Sequence, residues 1–265
     1  MRVNILFLYV LCCMFLQAMP SFAETILVDE GHGQRFSVAS DGELQLSGLG
    51  MLVANKGHRI EIHNGPINEQ VLLAARGLII SGPFTSYSVD EIRAIRRFAH
   101  LGGRIAVMIH VGPLNGLLLA GLGVQVSNGV LFDPENMVGR GGREFSAHKL
   151  DRHPLFEGVD SFKLYGAWAL NTSASTARSI AFTGHRAWID LHGQHNSTNN
   201  PVSSWAVVVS VKMGSGEVVV FGDDAIFQNR FLEGGNLRLA ENLVTWLTEE
   251  RQGLDKNQLY TALRN

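Results

Sequence analysis

The sequence predicts an α/β fold in which a mainly parallel sheet has helices on both faces. Short, almost continuous apolar runs alternate with segments whose apolar residues recur at helical spacing. Strands that are apolar on both faces are typical of parallel sheets covered on both sides, and right-handed crossovers then give a doubly wound sheet. With 265 residues, 46% of them hydrophobic, the chain can bury a full core, and we expect one α/β domain over residues 24–252.

The first third of the chain contains three predicted strands and two predicted helices. A Ser-x-x-Glu pattern at residues 40–43 is typical of a capping box and predicts the start of the first helix. Gly57 would end this helix, and residues 68–75 predict a second, short helix. The apolar face of the first helix would be Leu44, Leu49, Leu52 and Val53. The strands are the runs Thr25–Asp29, Arg59–His63 and Gly77–Ser81.

The same alternation continues to residue 126. Ser88 and Glu91 form a second capping box, ahead of an apolar stripe that ends at Gly102 and Gly103. A buried strand over residues 104–109, a helix over 114–122 and a strand over 124–126 then follow.

The segment from about 132 to 201 is less regular and is rich in Gly, Asn, Ser and His. Strands are predicted within it near residues 179–182 and 188–191. Beyond it, two apolar runs around a turn at residues 213–216 predict a β-hairpin that supplies the last core strand. Asn236 is a natural N-cap for a final helix, and residues 253–265 form a polar tail.

The first 23 residues have the pattern of a secretory signal peptide. Arg2 precedes an apolar run over residues 3–16, and Ser21-Phe22-Ala23 fits a cleavage site. A membrane anchor is the alternative, although the run is short for a span. Both cysteines lie in this leader, so its removal would leave a chain without thiols. A disulfide-free exported protein suits a periplasm, and we expect a periplasmic protein without a membrane span after cleavage.

The charge balance argues against nucleic acid as a partner. The chain has 22 Lys and Arg against 24 Asp and Glu, a net charge of −2 at pH 7, and it has no polybasic run. Binding to a nucleic acid backbone needs a basic surface. We therefore expect a small ligand or an envelope protein as partner.

Polar residues that follow the predicted strands are the candidate binding residues. In an open parallel sheet, ligands bind outside the carboxyl ends of the strands. Four strand ends contribute such residues, and we expect them to form a ligand-binding rim. These residues are Asp29, Glu30, His32, Ser81, His110, Asp223 and Asp224.

Two other interpretations of these residues stay open. Carboxylates and imidazoles suit zinc or manganese, and an Asp with a raised pKa could act as a general base. Asp29 and Asp223 could instead cap helices or bind loop amides. Since no HExxH or comparable spacing occurs, we expect neither a metal nor a cofactor.

Nucleophilic catalysis is not indicated, because GxSxG is absent and residues 109–113 contain neither Ser nor Cys. Three other groups could have a role, but a structural interpretation is favoured for each. The segment 139–143 could cradle an anion, but we interpret it as a surface loop. The histidines His185, His192 and His195 could bind a metal or a proton, but we interpret them as loop residues, and the tryptophans Trp168, Trp188 and Trp205 could stack on a sugar, but we interpret them as core residues.

Four segments together carry a family resemblance. They are Asp29-Glu30-x-His32-Gly33-x-x-Phe36, Ser81-Gly82-Pro83 before a capped helix, His153-Pro154-Leu155-x-x-Gly158-Val159, and residues 216–223 with the final helix. The combination resembles an uncharacterised bacterial and archaeal domain group of the class I glutamine-amidotransferase-like superfamily. Relatives of that group are GldG-type auxiliary components of ABC transporters and the N-terminal domain of an intraflagellar transport protein.

The resemblance implies a flavodoxin-like three-layer α/β/α sandwich that binds a ligand or assembles with partners without catalysis. The absence of a nucleophile between His110 and Gly112 agrees with this. We therefore expect an exported, non-catalytic domain that binds a small ligand or protein partner at its rim, as an accessory to a transport or envelope assembly. The alternative is a hydrolase that uses the same rim, with or without a metal, and with Asp223 or His32 as its base.

Overall fold

The computed structural model describes residues 24–249, so the predicted signal peptide and the tail at 253–265 lie outside the described residues. The helices are α1 (Ser47–Asn55), α2 (Glu69–Leu72), α3 (Val89–His100), α4 (Gly116–Gly121) and α5 (Gly234–Thr248). The strands are β1 (Thr25–Asp29), β2 (Arg59–His63), β3 (Gly77–Ser81), β4 (Arg104–Met108), β5 (Val124–Phe132), β6 (Glu144–Ala147), β7 (Lys149–Leu150), β8 (Phe162–Tyr165), β9 (Trp168–Thr172), β10 (Ala177–Phe182), β11 (Ala187–Asp190), β12 (Val202–Ser203), β13 (Ala206–Met213) and β14 (Gly216–Phe221).

Five strands form a parallel half-sheet in the order β14-β4-β3-β1-β2. The register aligns the carboxyl ends of these strands. Asp29 lies opposite His63 on β2 and Ile80 on β3, and Met108 lies opposite both Ser81 and Phe221. The loops that follow β1, β3, β4 and β14 therefore emerge at one edge, which is the edge predicted to bind ligands.

The second half of the chain extends this sheet with antiparallel strands. β13, β9, β5, β11 and β12 continue it beyond β14, β10 and β7 branch from β13, and β6 and β8 form a separate pair. The fold is thus mixed α/β, and the predicted parallel arrangement is confirmed for the five strands that carry the rim. Strands β6 to β9 were not predicted, because each has only two to five residues and glycine-containing loops interrupt them.

Helices cover both faces of the parallel strands. On one face, α1 and α5 pack with Leu49 and Leu243 against strand residues such as Ile26 and Val28. On the other face, α2, α3 and α4 pack against Leu27 and its neighbours. Since successive strand residues point to opposite faces, burial on both sides explains the continuous apolar runs.

No helix within residues 24–249 is long and apolar enough to cross a membrane.

The first helix begins later than predicted. Residues 40–43 are not helical, α1 begins at Ser47, and Leu44 is 45% exposed. The backbone amide of Gly48 is bound by the side chain of Asn229, whose Oδ1 accepts it at 2.8 Å across 181 sequence positions. The Asn229 amide also donates to the Gly42 carbonyl at 2.8 Å and to the Ser47 hydroxyl at 3.0 Å. A distant residue thus caps α1, and no local pattern could indicate it.

The last helix begins at Gly234, so the prediction that Asn236 is its N-cap is wrong. The Asn236 side chain instead accepts the Lys163 amide at 2.7 Å and donates to the carbonyls of Lys163 and Ile226. These bonds join α5 to β8. The capping box of Ser88 and Glu91 is confirmed with both of its reciprocal hydrogen bonds.

We expect Asn229→Ala to lower the free energy of unfolding by about 1–2 kcal/mol, because it removes the cap of α1 together with two other hydrogen bonds. Urea denaturation measures this loss. Asn171→Ala is the matched control, since Asn171 is exposed on β9, and we expect a change within about 0.5 kcal/mol there. Equal losses in both variants would contradict the long-range capping role.

Candidate functional site

The seven predicted site residues all lie at or just beyond the carboxyl ends of β1, β3, β4 and β14, but they do not form one constellation. Asp29 and His32 belong to a buried group that we call the Asp29 cluster. It also contains Gln34, Tyr87 and Glu91. His110 and Asp224 form a separate, partly exposed pair.

Asp29 is a buried acceptor at the end of β1. It accepts the Gly31 amide at 3.1 Å, the Gln34 side-chain amide at 2.6 Å and the hydroxyl of Tyr87. Nδ1 of His32 lies 2.9 Å from Asp29 Oδ2. The carboxylate is therefore saturated by its own loop and by the segment before α3, which is the loop-binding role left open for it.

His32 lies between two carboxylates and has no free ring nitrogen. Its Nε2 lies 2.9 Å from Glu91 Oε1, and its ring stacks on Tyr87 with centroids 3.7 Å apart. Burial lowers the pKa of His32, but the hydrogen bond and charge of Asp29 and the charge of Glu91 raise it more, and the net shift is upward. Each ring nitrogen faces a carboxylate oxygen and needs a proton to donate to it, so these contacts favour the cationic form of the ring. His32 also ties the loop after β1 to α3.

Glu91 serves both α3 and the Asp29 cluster. Its carboxylate accepts the amides of Ser88 and Ile67 at 2.9 Å each, besides the bond with His32. Burial raises the pKa of Glu91, whereas these amide hydrogen bonds and the charge of His32 lower it, and the net shift is downward. Glu91 is therefore an anion that is fully paired inside the protein.

Glu30 and Asp223 also bind loop groups. Glu30 accepts the Ser37 hydroxyl at 2.9 Å and the Val38 amide at 3.1 Å. Asp223 accepts the amides of Tyr165 and Ala225, one on each oxygen. Burial and the charge of Asp224 raise the pKa of Asp223 to about 7. Both carboxylates shape loops of the rim.

His110 and Asp224 are differently arranged. Nδ1 of His110 lies 3.0 Å from Asp224 Oδ1, and the His110 side chain is 37% exposed while that of Asp224 is 2% exposed. No partner contacts Nε2 of His110 among residues 24–249. The hydrogen bond to Asp224 raises the pKa of His110 against the opposing effect of burial. A buried carboxylate thus orients an imidazole whose second nitrogen is available.

Aromatic rings surround the His110 imidazole. The ring centroids of Phe36 and Phe84 lie 5.3 and 5.0 Å from it, and the Arg35 guanidinium lies 4.7 Å above the Phe84 ring. The charge of Arg35 lowers the pKa of His110, as expected for two neighbouring cations. We call Arg35, Phe36, Phe84, His110 and Asp224 the His110 rim.

Ser81 lies behind this surface. It is buried, and its hydroxyl has no partner among the described residues. Gly82 follows with φ +56°, and a Cβ at Gly82 would collide with Oδ2 of Asp224. Gly82 therefore permits the close approach of the β3 loop to Asp224.

Among the other predicted groups, Trp168 contacts the His110 rim, whereas His192, His195 and Trp188 have other partners. Asp190 accepts the amides of His192 and His195, so this loop is organised by a carboxylate. The Trp168 indole donates to the His110 carbonyl at 3.0 Å, whereas the Trp188 ring, on β11, stacks on the ring of Phe132 on β5. In the part of the chain that the structure describes, no three His, Asp or Glu side chains are grouped so as to hold a metal ion.

Sequence analysis did not find five residues that complete these groups, namely Gln34, Arg35, Phe84, Tyr87 and Glu91 as a site residue. A signal existed for the last two. Glu91 is the third residue of a helix that follows a strand ending at the rim, so the sequence places it near the rim without naming its partners. Tyr87 directly precedes this capping box.

The pattern of one sequence family covers most of this chain. The family described as "Domain of unknown function (DUF4350)" matches residues 38–244. The chain belongs to the DUF4350 family. The DUF4350 match includes Phe84, His110 and Asp224 but begins after Asp29 and His32. No curated protein matches this DUF4350 chain.

Solved structures resemble this DUF4350 chain in fold at low sequence identity. The mmIFT52 N-terminal domain is 17% identical, with a TM-score of 0.69 over 87% of this chain and 100% of that one. A protein described as ThuA-like from Parabacteroides merdae is 10% identical, with a TM-score of 0.53 over 86% and 90% of the two chains. A beta-galactosidase from Bacillus circulans is 10% identical, with a TM-score of 0.52 over 86% of this chain and 31% of that one. These likenesses establish a mixed α/β fold.

We expect Glu91→Gln to lower the free energy of unfolding by about 3 kcal/mol, because it leaves the His32 cation without one of its two buried counterions. Chemical denaturation gives the value. Asp90→Asn is the matched control, since Asp90 is an acidic residue in the same helical turn whose side chain is 87% exposed. We expect less than about 0.5 kcal/mol there. Similar losses of unfolding free energy in the two variants would contradict a stabilising role of the buried contact between Glu91 and His32.

The stabilising effect of His32 should depend on pH. Its folded-state pKa is raised, so the charged interactions are fully present below the unfolded-state value of about 6.5 and are lost as pH rises through the folded-state pKa. The difference in unfolding free energy between the native sequence and His32→Gln should therefore shrink from pH 5.5 to pH 9. Urea denaturation across this range measures it, and a difference that grows with pH would contradict the cationic state of His32.

Proposed function

We propose that this protein is a ligand-binding domain that captures a small organic anion at the His110 rim. The observation that supports this proposal is a partly exposed imidazole in which a buried carboxylate fixes one nitrogen, while the other has no partner within residues 24–249. Because the pKa of His110 is raised, the ring carries positive charge to a higher pH than a free histidine does. An exposed cation with a free N–H favours an anionic ligand.

The neighbours of His110 define the class of ligand more closely. Arg35 supplies a second cation, 4.7 Å above the Phe84 ring, and this ring also packs against His110. A carboxylate or phosphate would bond to His110 Nε2 and to the Arg35 guanidinium, and an apolar part of the same ligand would lie against Phe36 and Phe84. An organic anion with a planar or apolar body therefore fits better than a sugar or a cation.

A hydrolase is the second candidate, and one observation favours it. A carboxylate on Nδ1 and a free Nε2 is the arrangement of a histidine that acts as a general base. If the rim hydrolyses a bond, His110 is the base. His32 and Asp223 are less suitable, because both nitrogens of His32 and both oxygens of Asp223 are already bound.

We further propose that the domain is exported to a periplasm and serves a transport or envelope assembly. The leader pattern supports export.

We also propose that the domain belongs to the class I glutamine-amidotransferase-like superfamily, near the GldG-type relatives, with a flavodoxin-like three-layer arrangement. The support is that helices lie on both faces of five parallel strands, and that His110 follows β4 where a nucleophile would stand.

Benzoate is a suitable probe, because it combines a carboxylate with a planar apolar ring. We expect isothermal titration calorimetry to give a Kd in the millimolar range or below, and binding should weaken as pH rises through the raised pKa of His110. His110→Gln should weaken binding at least tenfold. His58→Gln is the matched control, since His58 lies just before the amino end of β2, at the opposite edge of the sheet. We expect this variant to bind benzoate as tightly as the native sequence. Equal affinity in all three proteins would overturn the proposed site.

The hydrolase alternative has its own test. Nitrophenyl esters and nitrophenyl phosphates release a coloured product on hydrolysis. Turnover that disappears in His110→Gln and in Asp224→Asn would identify a hydrolase, whereas benzoate binding without turnover supports the binding domain.

A further inference from the structure

The outer face of α3 carries one stripe of exposed apolar and basic side chains. Val89, Arg93, Arg96 and His100 follow each other at intervals of four, three and four residues, so they lie in line along the helix. All four side chains are exposed. The inner face of α3 packs into the core, so this stripe is the part of the helix that meets the surroundings.

A second exposed apolar side chain lies beside the start of this stripe. The Ser86 hydroxyl donates to the Leu114 carbonyl at 3.4 Å, and a Cβ at Gly121 would contact Ile92. The first contact lies ahead of both helices and the second lies further along both, so we infer that α3 and α4 run side by side in the same direction. Leu117 lies one turn before Gly121 on α4, which places it on the side that faces the start of α3.

Val89 and Leu117 are the most exposed large apolar side chains within residues 24–249, at 70% and 69%. Single exposed apolar residues are common, but two adjacent ones beside a row of basic residues form a pattern. We call Val89, Arg93, Arg96, His100 and Leu117 the α3 surface.

The basic residues of the α3 surface are only partly neutralised. Arg93 pairs with Asp90 on the same helix. Arg96 and His100 have no ion pair among the described residues, and together with Lys212 they line a groove between α3 and the end of β13. The chain as a whole has a net charge of −2, so this local excess of basic residues is not a consequence of composition.

We propose that the α3 surface binds an anionic lipid bilayer, with Val89 and Leu117 entering the headgroup region and the basic side chains contacting lipid phosphates. Basic residues beside exposed aliphatic side chains are the pattern of interfacial membrane contacts. A protein interface usually has aromatic anchors such as Trp or Tyr at its centre, and none of the five residues of the α3 surface is a Trp, Tyr or Phe. This inference does not depend on ligand binding at the His110 rim.

Vesicle co-sedimentation tests the proposal. The full chain should bind vesicles of phosphatidylcholine with phosphatidylglycerol better than vesicles of phosphatidylcholine alone, and binding should fall steeply between about 0.1 and 0.5 M salt as the charges are screened. Each basic residue near the surface is worth about fivefold in affinity, so Arg93→Gln with Arg96→Gln should weaken binding more than tenfold.

Arg238→Gln with Lys163→Gln is the matched control. Arg238 pairs with Glu241 three residues on, as Arg93 does with Asp90, but it lies on α5 at the opposite face of the sheet. All variants have the same N-terminus, so a contribution of the leader cancels. We expect the control to bind like the native sequence, and equal weakening of both double variants would overturn the proposal.

The apolar contribution has a separate test. Val89→Ser with Leu117→Ser leaves every charge in place, and we expect it to remove the binding that persists at high salt. Soluble poly-glutamate decides between lipid and acidic protein. Capture of poly-glutamate without binding to anionic vesicles would overturn the lipid assignment in favour of an acidic polypeptide partner.

Discussion

The imidazole of His32, held between the buried carboxylates of Asp29 and Glu91, is the interaction on which the rim depends. Its side chain joins the end of β1 to the start of α3. Its carbonyl accepts the backbone amides of Phe84 at 2.8 Å and Thr85 at 3.0 Å. Phe84 in turn packs against His110 and carries Arg35 on its ring. His32 therefore holds the loop after β1 through its side chain, and through its backbone carbonyl it holds the loop after β3, which carries the Phe84 side of the proposed binding site.

This arrangement separates two kinds of polar residue that occur together at the carboxyl ends of strands. Buried groups with every hydrogen bond satisfied, such as Asp29 and His32, hold the loops in place. In the described part of the chain, His110 is hydrogen-bonded through Nδ1 only, and its side chain is 37% exposed. The distinction rests on hydrogen-bond partners and exposure and not on residue type, since both groups combine a histidine with a carboxylate. A polar residue at a strand end is therefore a functional candidate only when part of it is unpaired and reachable.

Much of the parallel half could be predicted because its signals are local. The apolar runs of β1, β3 and β4 and the capping box at Ser88 depend on neighbouring residues alone. The position of the rim could be predicted because the carboxyl ends of parallel strands meet at one edge of a sheet. The errors arose where a distant residue takes over a local role, as Asn229 does at the start of α1 and as Asn236 does toward β8. The same reason hid the partners of the Asp29 cluster, because Tyr87 and Glu91 lie more than fifty positions from the residues that they contact.

The two proposed surfaces share one helix. The first turn of α3 directs Glu91 inward to His32 and Val89 outward, although the two residues are only two positions apart in the chain. The Asp29 cluster is thus rigidly connected to the end of α3 that would enter the headgroup region. A bilayer bound at Val89 and Leu117 would hold the rim close to the membrane, because the His110 rim is built on the loop that leads into this same turn. The local concentration of an anionic ligand is low next to an anionic membrane. The positive charge of Arg35, and that of His110 when its ring is protonated, would oppose this depletion at the proposed binding site.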